Sequence, residues 1–190
     1  GIEANHRAGV RDGDKVVIIG AGPIGLVSLL VAKTKDTEVL ITDQVVPRLE
    51  LAQKLGADRV VNIAEEDPLK AVEEFTQGEG AHAVIEAVGL EATVRQSMEM
   101  VAPSGRIAYL GLSNVDMKLP ANLLIKKGVD FHGSRLNNLR FPEVLDLLAQ
   151  DKFDPRPLIS KKYHYTQIEE AMEHFDKHPE KVTKVILGFD

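Results

Sequence analysis

The stretch KVVIIGAGPIGLVSLLVAK, Lys15 to Lys33, decides the fold. Lys15 to Gly20 is a short apolar, β-branched run without polar alternation, which suits a strand buried on both faces of a parallel sheet. From Pro23 to Lys35 the period turns helical, with Ile24, Val27, Leu30 and Val31 on one stripe and Lys33 and Lys35 at its end. Between the two lie Gly20, Gly22 and Gly25 in G-x-G-x-x-G spacing. There Gly20 permits a tight turn, Gly22 lets the backbone approach a pyrophosphate, and Gly25 allows close helix–strand packing with phosphates at the positive helix end. A plain strand–helix turn can carry the same glycines, so the motif needs a partner. Asp43, about 20 residues further on at the end of the next apolar run, is that partner. A carboxylate there accepts hydrogen bonds from both ribose hydroxyls of NAD and repels the 2′-phosphate of NADP. No Gly-Lys-Ser/Thr follows, so a triphosphate P-loop is not supported.

The same strand–helix rhythm repeats outward. Strands are predicted at Glu38 to Asp43, Arg59 to Ile63, Ala81 to Val88, Gly105 to Leu112 and Val129 to Ser134. Helices are predicted at Pro47 to Leu55, Pro68 to Phe75 and Glu91 to Val101, with a short segment at Ala121 to Lys127. Pro47 and Pro68 suit first-turn positions, and Gly56 and Gly78 suit left-handed positions at helix ends. Six strands of this kind give an α/β, Rossmann-type doubly wound parallel sheet in the order 3-2-1-4-5-6. From Asn137 the rhythm changes to a helix (Phe141 to Gln150), a Pro-rich connector, a strand (Ile159 to Tyr165), a helix (Gln167 to Lys177) and a strand (Lys184 to Phe189). A boundary near Leu136 therefore divides residues 1–136, the dinucleotide-binding unit, from residues 137–190.

Composition narrows the classes. The chain has 190 residues with 23 Lys+Arg against 29 Asp+Glu, a net charge of −6, which argues against a nucleic-acid footprint. It has no apolar run of about 18 residues and no secretory h-region, so a soluble, cytoplasmic protein without membrane contact is expected. With zero Cys, disulfides, thiolate nucleophiles and Cys-type zinc sites are excluded from these residues.

Several further residues invite a reading. Arg48 either lies against an adenine face or is a solvated first-turn cation. Three loops at the carboxyl ends of strands, Ala87-Val88-Gly89, Leu110-Gly111-Leu112 and Gly133-Ser134-Arg135, fall where open α/β sheets bind ligands; their glycines either serve turns or admit a flat nicotinamide. Glu86, an ionisable residue in an apolar strand, reads as a structural group bonded to neighbouring backbone. His174 and His178 share a helix face but read as a solvated helix end, so no metal ligand is assigned, and His6, His82, His132 and His164 have no triad or ligand spacing.

Taken together, Gly13 to Gly25, Asp43 with Arg48 to Asp58, Glu86 to Gly89 and Gly105 to Gly111 resemble the C-terminal half of medium-chain, zinc-type alcohol and polyol dehydrogenases. The stretch Gly133 to Leu148, with Pro157 to Ser160, is similar to the sorbitol, L-threonine and sugar-acid (L-galactonate or L-gulonate 5-dehydrogenase) branch. The resemblance implies a fragment in which residues 137–190 belong to a GroES-like catalytic domain whose larger, zinc-bearing part lies outside it. It implies hydride transfer from a secondary alcohol, a polyol or sugar acid, to NAD, with zinc as Lewis acid. By that likeness Gly20, Gly22, Pro23, Ile24 and Gly25 form the pyrophosphate loop, and Asp43 and Arg48 take the adenosine side. Ala87, Val88, Gly89, Gly111, Leu112 and Ser134 take the nicotinamide side, Arg135 contacts cofactor and substrate, and no residue here is catalytic or a metal ligand. Arg135 in a structural ion pair is the competing reading. The likeness also implies a homo-oligomer, dimer or tetramer, formed through the edge strand 129–134. The alternatives are a stand-alone NAD-binding regulatory module, a flavoprotein, and a zinc-free quinone-reductase-like relative.

Overall fold

The computed structural model describes every residue except 115, 179, 181 and 190. Its main body runs α1 (Ile2–Arg7), β1 (Lys15–Ile19), α2 (Pro23–Ala32), β2 (Glu38–Asp43), α3 (Val46–Lys54), β3 (Arg59–Asn62), α4 (Pro68–Thr76), β4 (Ala81–Glu86), α5 (Glu91–Met100), β5 (Val101–Tyr109), α6 (Ala121–Lys127) and β6 (Asp130–Gly133). The strands pair in parallel in the order β3-β2-β1-β4-β5-β6, as expected. Strand β1 sits at the centre, with Val17 opposite Leu40 on one side and Val84 on the other.

The absence of polar alternation in β1 has its reason in the layers. Val16 and Ile18 pack on one face with Leu26, Leu29, Ile41 and Ile85, while Val17 and Ile19 pack on the other with Leu40, Val84, Met98 and Ile107. Helices α1, α2 and α3 cover the first face, and α4 and α5 the second. A strand covered twice has no polar positions to spare. Local signals set the ends: Asp67 Oδ1 accepts from the Leu69 N–H at 2.9 Å and caps α4, worth about 1 kcal/mol.

Several boundaries differ from the sequence pattern, and two have a clear local cause. Helix α2 stops at Ala32, because the N–H groups of Thr34 and Lys35 tighten onto the Val31 and Ala32 carbonyls. Strand β5 begins at Val101, not Gly105: Val101 already pairs with Ala81, and a bulge through Ser104, at φ 57, precedes resumed pairing at Ala83–Arg106. Helix α1 carries no pattern long enough to announce it. It docks through Ile2, Ala4 and Ala8, and Asn5 Nδ2 donates to the Ser28 carbonyl of α2 at 2.9 Å.

After β6 come α7 (Phe141–Ala149), β7 (Ile159–His164), α8 (Ile168–Lys177) and β8 (Lys184–Gly188). Strands β7 and β8 pair in parallel in a separate two-stranded sheet. The link back to the main body is partly apolar, through Leu158 and Phe153, and partly ionic. Glu3 of α1, 4% exposed, accepts from Arg7 Nε at 2.7 Å and from Arg140 Nε at 2.9 Å.

Burial works against the charged form of Glu3, but the hydrogen bonds from Arg7 and Arg140 outweigh it and hold the carboxyl below its usual value of 4.5. A carboxyl depressed in the folded state contributes stability above the unfolded value and loses it as pH falls through the folded one. The Glu3→Gln variant is therefore expected to be less stable at pH 7 and to show a shallower loss of stability below pH 4.5 than the parent. Urea unfolding across a pH series checks both parts; parallel curves would remove Glu3 from the acid transition.

Candidate functional site: the carboxyl rim of the sheet

The carboxyl ends of β1, β4, β5 and β6 open into one rim, stitched loop to loop. Ala87 N donates to the Ile19 carbonyl at 3.0 Å, Leu110 N to Glu86 at 2.9 Å and Ser134 N to Tyr109 at 2.8 Å. The glycine turn stands at its centre. Gly20 adopts φ 98, where an L side chain is strained, and a Cβ there would meet Val88 Cγ2 at 2.7 Å. A Cβ on Gly25 would lie 1.8 Å from the Gly20 carbonyl oxygen. Both glycines are thus demanded by the protein itself.

Gly22 is different. It is the N-cap of α2 with φ −71, a backbone any residue adopts, and a Cβ there would meet nothing within 4 Å. Nothing among the described residues asks for glycine at this position, and the space it leaves open faces the start of α2. Pro23 and Ile24 form the exposed first turn, Ile24 at 48% exposure.

Asp43, the last residue of β2, is half-buried beside this turn. Its Oδ2 accepts from the Ala21 N–H at 2.7 Å and its Oδ1 from the Val45 N–H at 2.9 Å. Each oxygen keeps a further lone pair, so the carboxylate can hold the turn and still accept from hydroxyls. Arg48 lies half-buried in the first turn of α3.

The second wall of the rim is set by Glu86, at the end of β4 and fully buried. Its Oε1 accepts from Val88 N at 3.0 Å, Gly89 N at 2.9 Å and Thr93 Oγ1 at 2.7 Å. Glu86 is therefore a structural acceptor that ties loop 87–90 to α5, the role expected of it. The loop glycines have the same kind of duty. A Cβ on Gly89 would meet Gly111 C at 2.7 Å, and one on Gly111 would meet Gly89 N at 2.0 Å, so these two are required by their own contact. Burial, with the Glu86 carboxylate as a second cause, pushes the Tyr109 hydroxyl above its usual value.

Around these backbones stand apolar and polar groups without partners. Val88 and Leu112 are 40% and 81% exposed, Ala87 is half-buried, and the buried Ser134 hydroxyl has no hydrogen-bond partner among the described residues. Arg135 is exposed, and no ion pair of it occurs among the described residues. Sequence reasoning missed Thr93, whose hydroxyl bonds Glu86, and Glu3. Their signal is only a polar residue inside an apolar pattern. His174 and His178 face each other with ring centroids 5.3 Å apart, but among the described residues no group of three or more His, Cys, Asp or Glu could hold a metal ion. No helix among the described residues is long and apolar enough to cross a membrane.

A family profile described as zinc-binding dehydrogenase matches residues 23–150, most of the chain. The chain belongs to this zinc-binding dehydrogenase family. A curated relative, an uncharacterized zinc-type alcohol dehydrogenase-like protein of Haemophilus influenzae, is 34% identical over 188 residues, 99% of this chain and 55% of its own length. Among solved structures, an alcohol dehydrogenase (rspB) from Escherichia coli CFT073 complexed with NADH superposes with TM-score 0.91 at 26% identity, over 99% of this chain and 56% of that one. The L-idonate 5-dehydrogenase of Escherichia coli K-12 gives TM-score 0.88 at 29% identity, over 99% and 54%. The chain thus spans about half the length of these dehydrogenases, and the comparisons favour neither the regulatory-module nor the quinone-reductase alternative.

The three glycines of the turn separate cleanly in experiment. Gly25→Ala is expected to leave little folded protein, because a methyl at 1.8 Å from a backbone oxygen cannot be absorbed. Gly22→Ala is expected to unfold within about 0.5 kcal/mol of the parent while losing dinucleotide affinity. Thermal unfolding with and without NADH reads both.

Proposed function

We propose that this chain is the NAD-binding part of a zinc-dependent dehydrogenase that oxidises a secondary alcohol carbon of a polyol or sugar acid. The observation that carries the reading is Gly22: a glycine that no neighbour and no backbone angle requires, at the N-terminus of α2 and beside Asp43. A pyrophosphate needs that open face, and the helix end favours its charge. The NADH complex of the rspB dehydrogenase supports the same cofactor, and the name of the L-idonate enzyme supports the sugar-acid class.

In this reading residues 1–136 are the cofactor unit and 137–190 part of a catalytic domain, supported by the separate β7–β8 sheet. NAD, when bound, supplies the hydride acceptor at the nicotinamide ring. The residues of this chain place it. The N–H groups of Ile24 and Gly25, with Gly20, Gly22 and Pro23, take the phosphates, while Asp43 accepts from the ribose hydroxyls and Arg48 flanks the adenosine. Ala87, Val88, Gly89, Gly111 and Leu112 offer a small-residue and apolar wall to the nicotinamide and exclude water from it. The Ser134 hydroxyl, buried and unpartnered, is a donor for that side. Arg135 offers its guanidinium to an anionic substrate group. The zinc of this family finds no ligand set among the described residues, so no step here runs through it.

The same reading includes self-association through strand 129–134. Strand β6 is an edge of the sheet with one side unpaired. The opposite edge, β3, carries Arg59 in ion pairs with Glu66 and Glu74 of the α4 side, a charged guard against pairing. Sedimentation of the full-length protein is expected to give a dimer or tetramer, and a Phe131→Lys change in β6 to weaken it; a monomer at high concentration would end this part.

The test of the cofactor reading is a fluorescence titration with NADH and NADPH on the parent and Asp43→Asn. Asparagine keeps one acceptor and a similar shape but removes the charge that repels a 2′-phosphate. The parent is expected to prefer NADH, and the variant to lose about tenfold or more of that preference. Equal affinity for both cofactors in the parent would defeat the reading.

A further inference from the structure

The segment between β6 and α7 has a backbone that its sequence does not favour. Leu136, Asn138 and Leu139 take φ 59, 45 and 62, three left-handed non-glycine residues within four positions. Asparagine enters that region readily, but leucine has no polar side chain to ease it. Nor does packing compensate, since Leu136 and Leu139 are 83% and 89% exposed. Such a conformation persists only where its surroundings over-determine it.

The surroundings are specific. Inside the segment, Asn137 Oδ1 accepts from Leu139 N at 3.1 Å, and the Asn137 carbonyl accepts from Arg140 N at 2.9 Å. From outside, one carboxylate grips it twice: Glu3 Oε1 accepts from Asn138 Nδ2 at 3.3 Å and Glu3 Oε2 from Arg140 Nε at 2.9 Å. Glu3 is itself fixed by Arg7 and by burial on α1. At the other end Ser134 is buried and bonded to the Tyr109 carbonyl. Arg135 stands between these two anchors, exposed and free of ion pairs among the described residues.

We propose that Glu3 is a positioning residue for substrate: through Asn138 and Arg140 it holds the left-handed segment 136–139, and so sets where Arg135 presents its guanidinium. This rests on the reading above in which Arg135 meets the carboxylate of a sugar acid. A bidentate guanidinium–carboxylate pair is directional, so a shift of the backbone on either side weakens it, whereas an uncharged polyol, which offers only single hydroxyl acceptors, depends on it less. An exposed arginine on a relaxed loop would spend binding energy on being ordered. A clamp that orders the loop beforehand removes that cost.

The test uses the full-length enzyme with L-idonate as the anionic probe and L-iditol as its uncharged counterpart, at saturating NAD. Four proteins are compared: parent, Arg135→Gln, Glu3→Gln and the double variant, with hydrogen exchange of the amides of residues 136–140 followed in each. Arg135→Gln is expected to raise KM for idonate about tenfold or more and KM for iditol by a clearly smaller factor, so that the idonate-to-iditol ratio shifts. Glu3→Gln is expected to speed exchange at Leu139 and Arg140 and raise KM for idonate about tenfold, with KM for iditol and for NAD within about twofold. The double variant is expected to be no worse than Arg135→Gln alone, because the two act on one contact.

The outcomes divide the claims. If Arg135→Gln shifts the idonate-to-iditol ratio and Glu3→Gln does not, the Arg135 reading stands and the positioning role is wrong. If Arg135→Gln leaves the ratio unchanged, the Arg135 reading fails and the proposal with it, whatever the exchange data show. Additive effects in the double variant would make Glu3 an independent structural group and overturn the proposal. Should Glu3→Gln not fold, Asn138→Gly keeps the left-handed backbone, removes one grip of Glu3, and is read against the same criteria.

Discussion

The carbonyl oxygen of Gly20 and the α-carbon of Gly25 come together with no space for a side chain between them. That contact brings the first turn of α2 down onto the end of β1, and the rest of the cofactor face depends on it. With α2 lowered, Leu26 and Leu29 are fully buried against Ile18 and Ile41, each burial worth about 2 kcal/mol. The start of the helix then lies at the carboxyl rim, and the Ala21 N–H comes within 2.7 Å of Asp43. The Asp43 carboxylate and the start of α2 are thereby set side by side by one steric fact. Any widening of the Gly20–Gly25 approach would move both together.

The opposite wall follows the same logic with different means. Gly89 and Gly111 touch backbone to backbone, so the loops after β4 and β5 approach as closely as two chains can. A buried carboxylate, Glu86, satisfies the amides that this approach would strand. Replacing it by an apolar residue would leave the buried Gly89 N–H without an acceptor, a cost of about 1–3 kcal/mol, and free the half-exposed Val88 N–H as well. The price of a rigid rim is thus one carboxylate in a strand whose other buried residues are apolar, and its position at the end of that strand gives it a misleadingly functional look.

Most of this was legible in the sequence because it is local. The strand–glycine–helix stretch and the carboxylate at the end of β2 follow from periodicity and turn chemistry within short windows, and the order of the six strands from the right-handed crossovers that their alternation with helices imposes. The structure added what lies between distant residues. Arg106 joins Gly9, Asp14 and the His82 carbonyl, and Glu3 joins Arg140 across a separation of 137 residues. Neither has a periodic signature. The bulge at Ser104 was illegible for a related reason: an extra residue in a ladder is defined by its partner strand, not by its own sequence. The two roles open to the rim glycines were also inseparable from sequence, since a turn glycine and a ligand-facing glycine are the same letter. Only the atoms that a Cβ would meet distinguish Gly22 from Gly25.

The same contrast explains how such a fold divides its work. The cofactor side is made mainly of backbone: glycines, amide groups at a helix start, and loops pressed together. Backbone geometry of this kind tolerates little variation, because each Cβ added meets an atom within 3 Å at Gly20, Gly25, Gly89 and Gly111. The side that Arg135 faces is made of side chains on a loop whose shape comes from a remote carboxylate. Exchanging a few of those side chains can alter the charge presented to a substrate without touching the Gly20–Gly25 contact. A rigid rim built of backbone and a loop built of side chains can therefore coexist on one sheet, provided that the link between them is specific enough to fix the loop and local enough to spare the rim. Glu3 meets both conditions, since it lies on α1, buried, and it reaches the loop through Asn138 and Arg140.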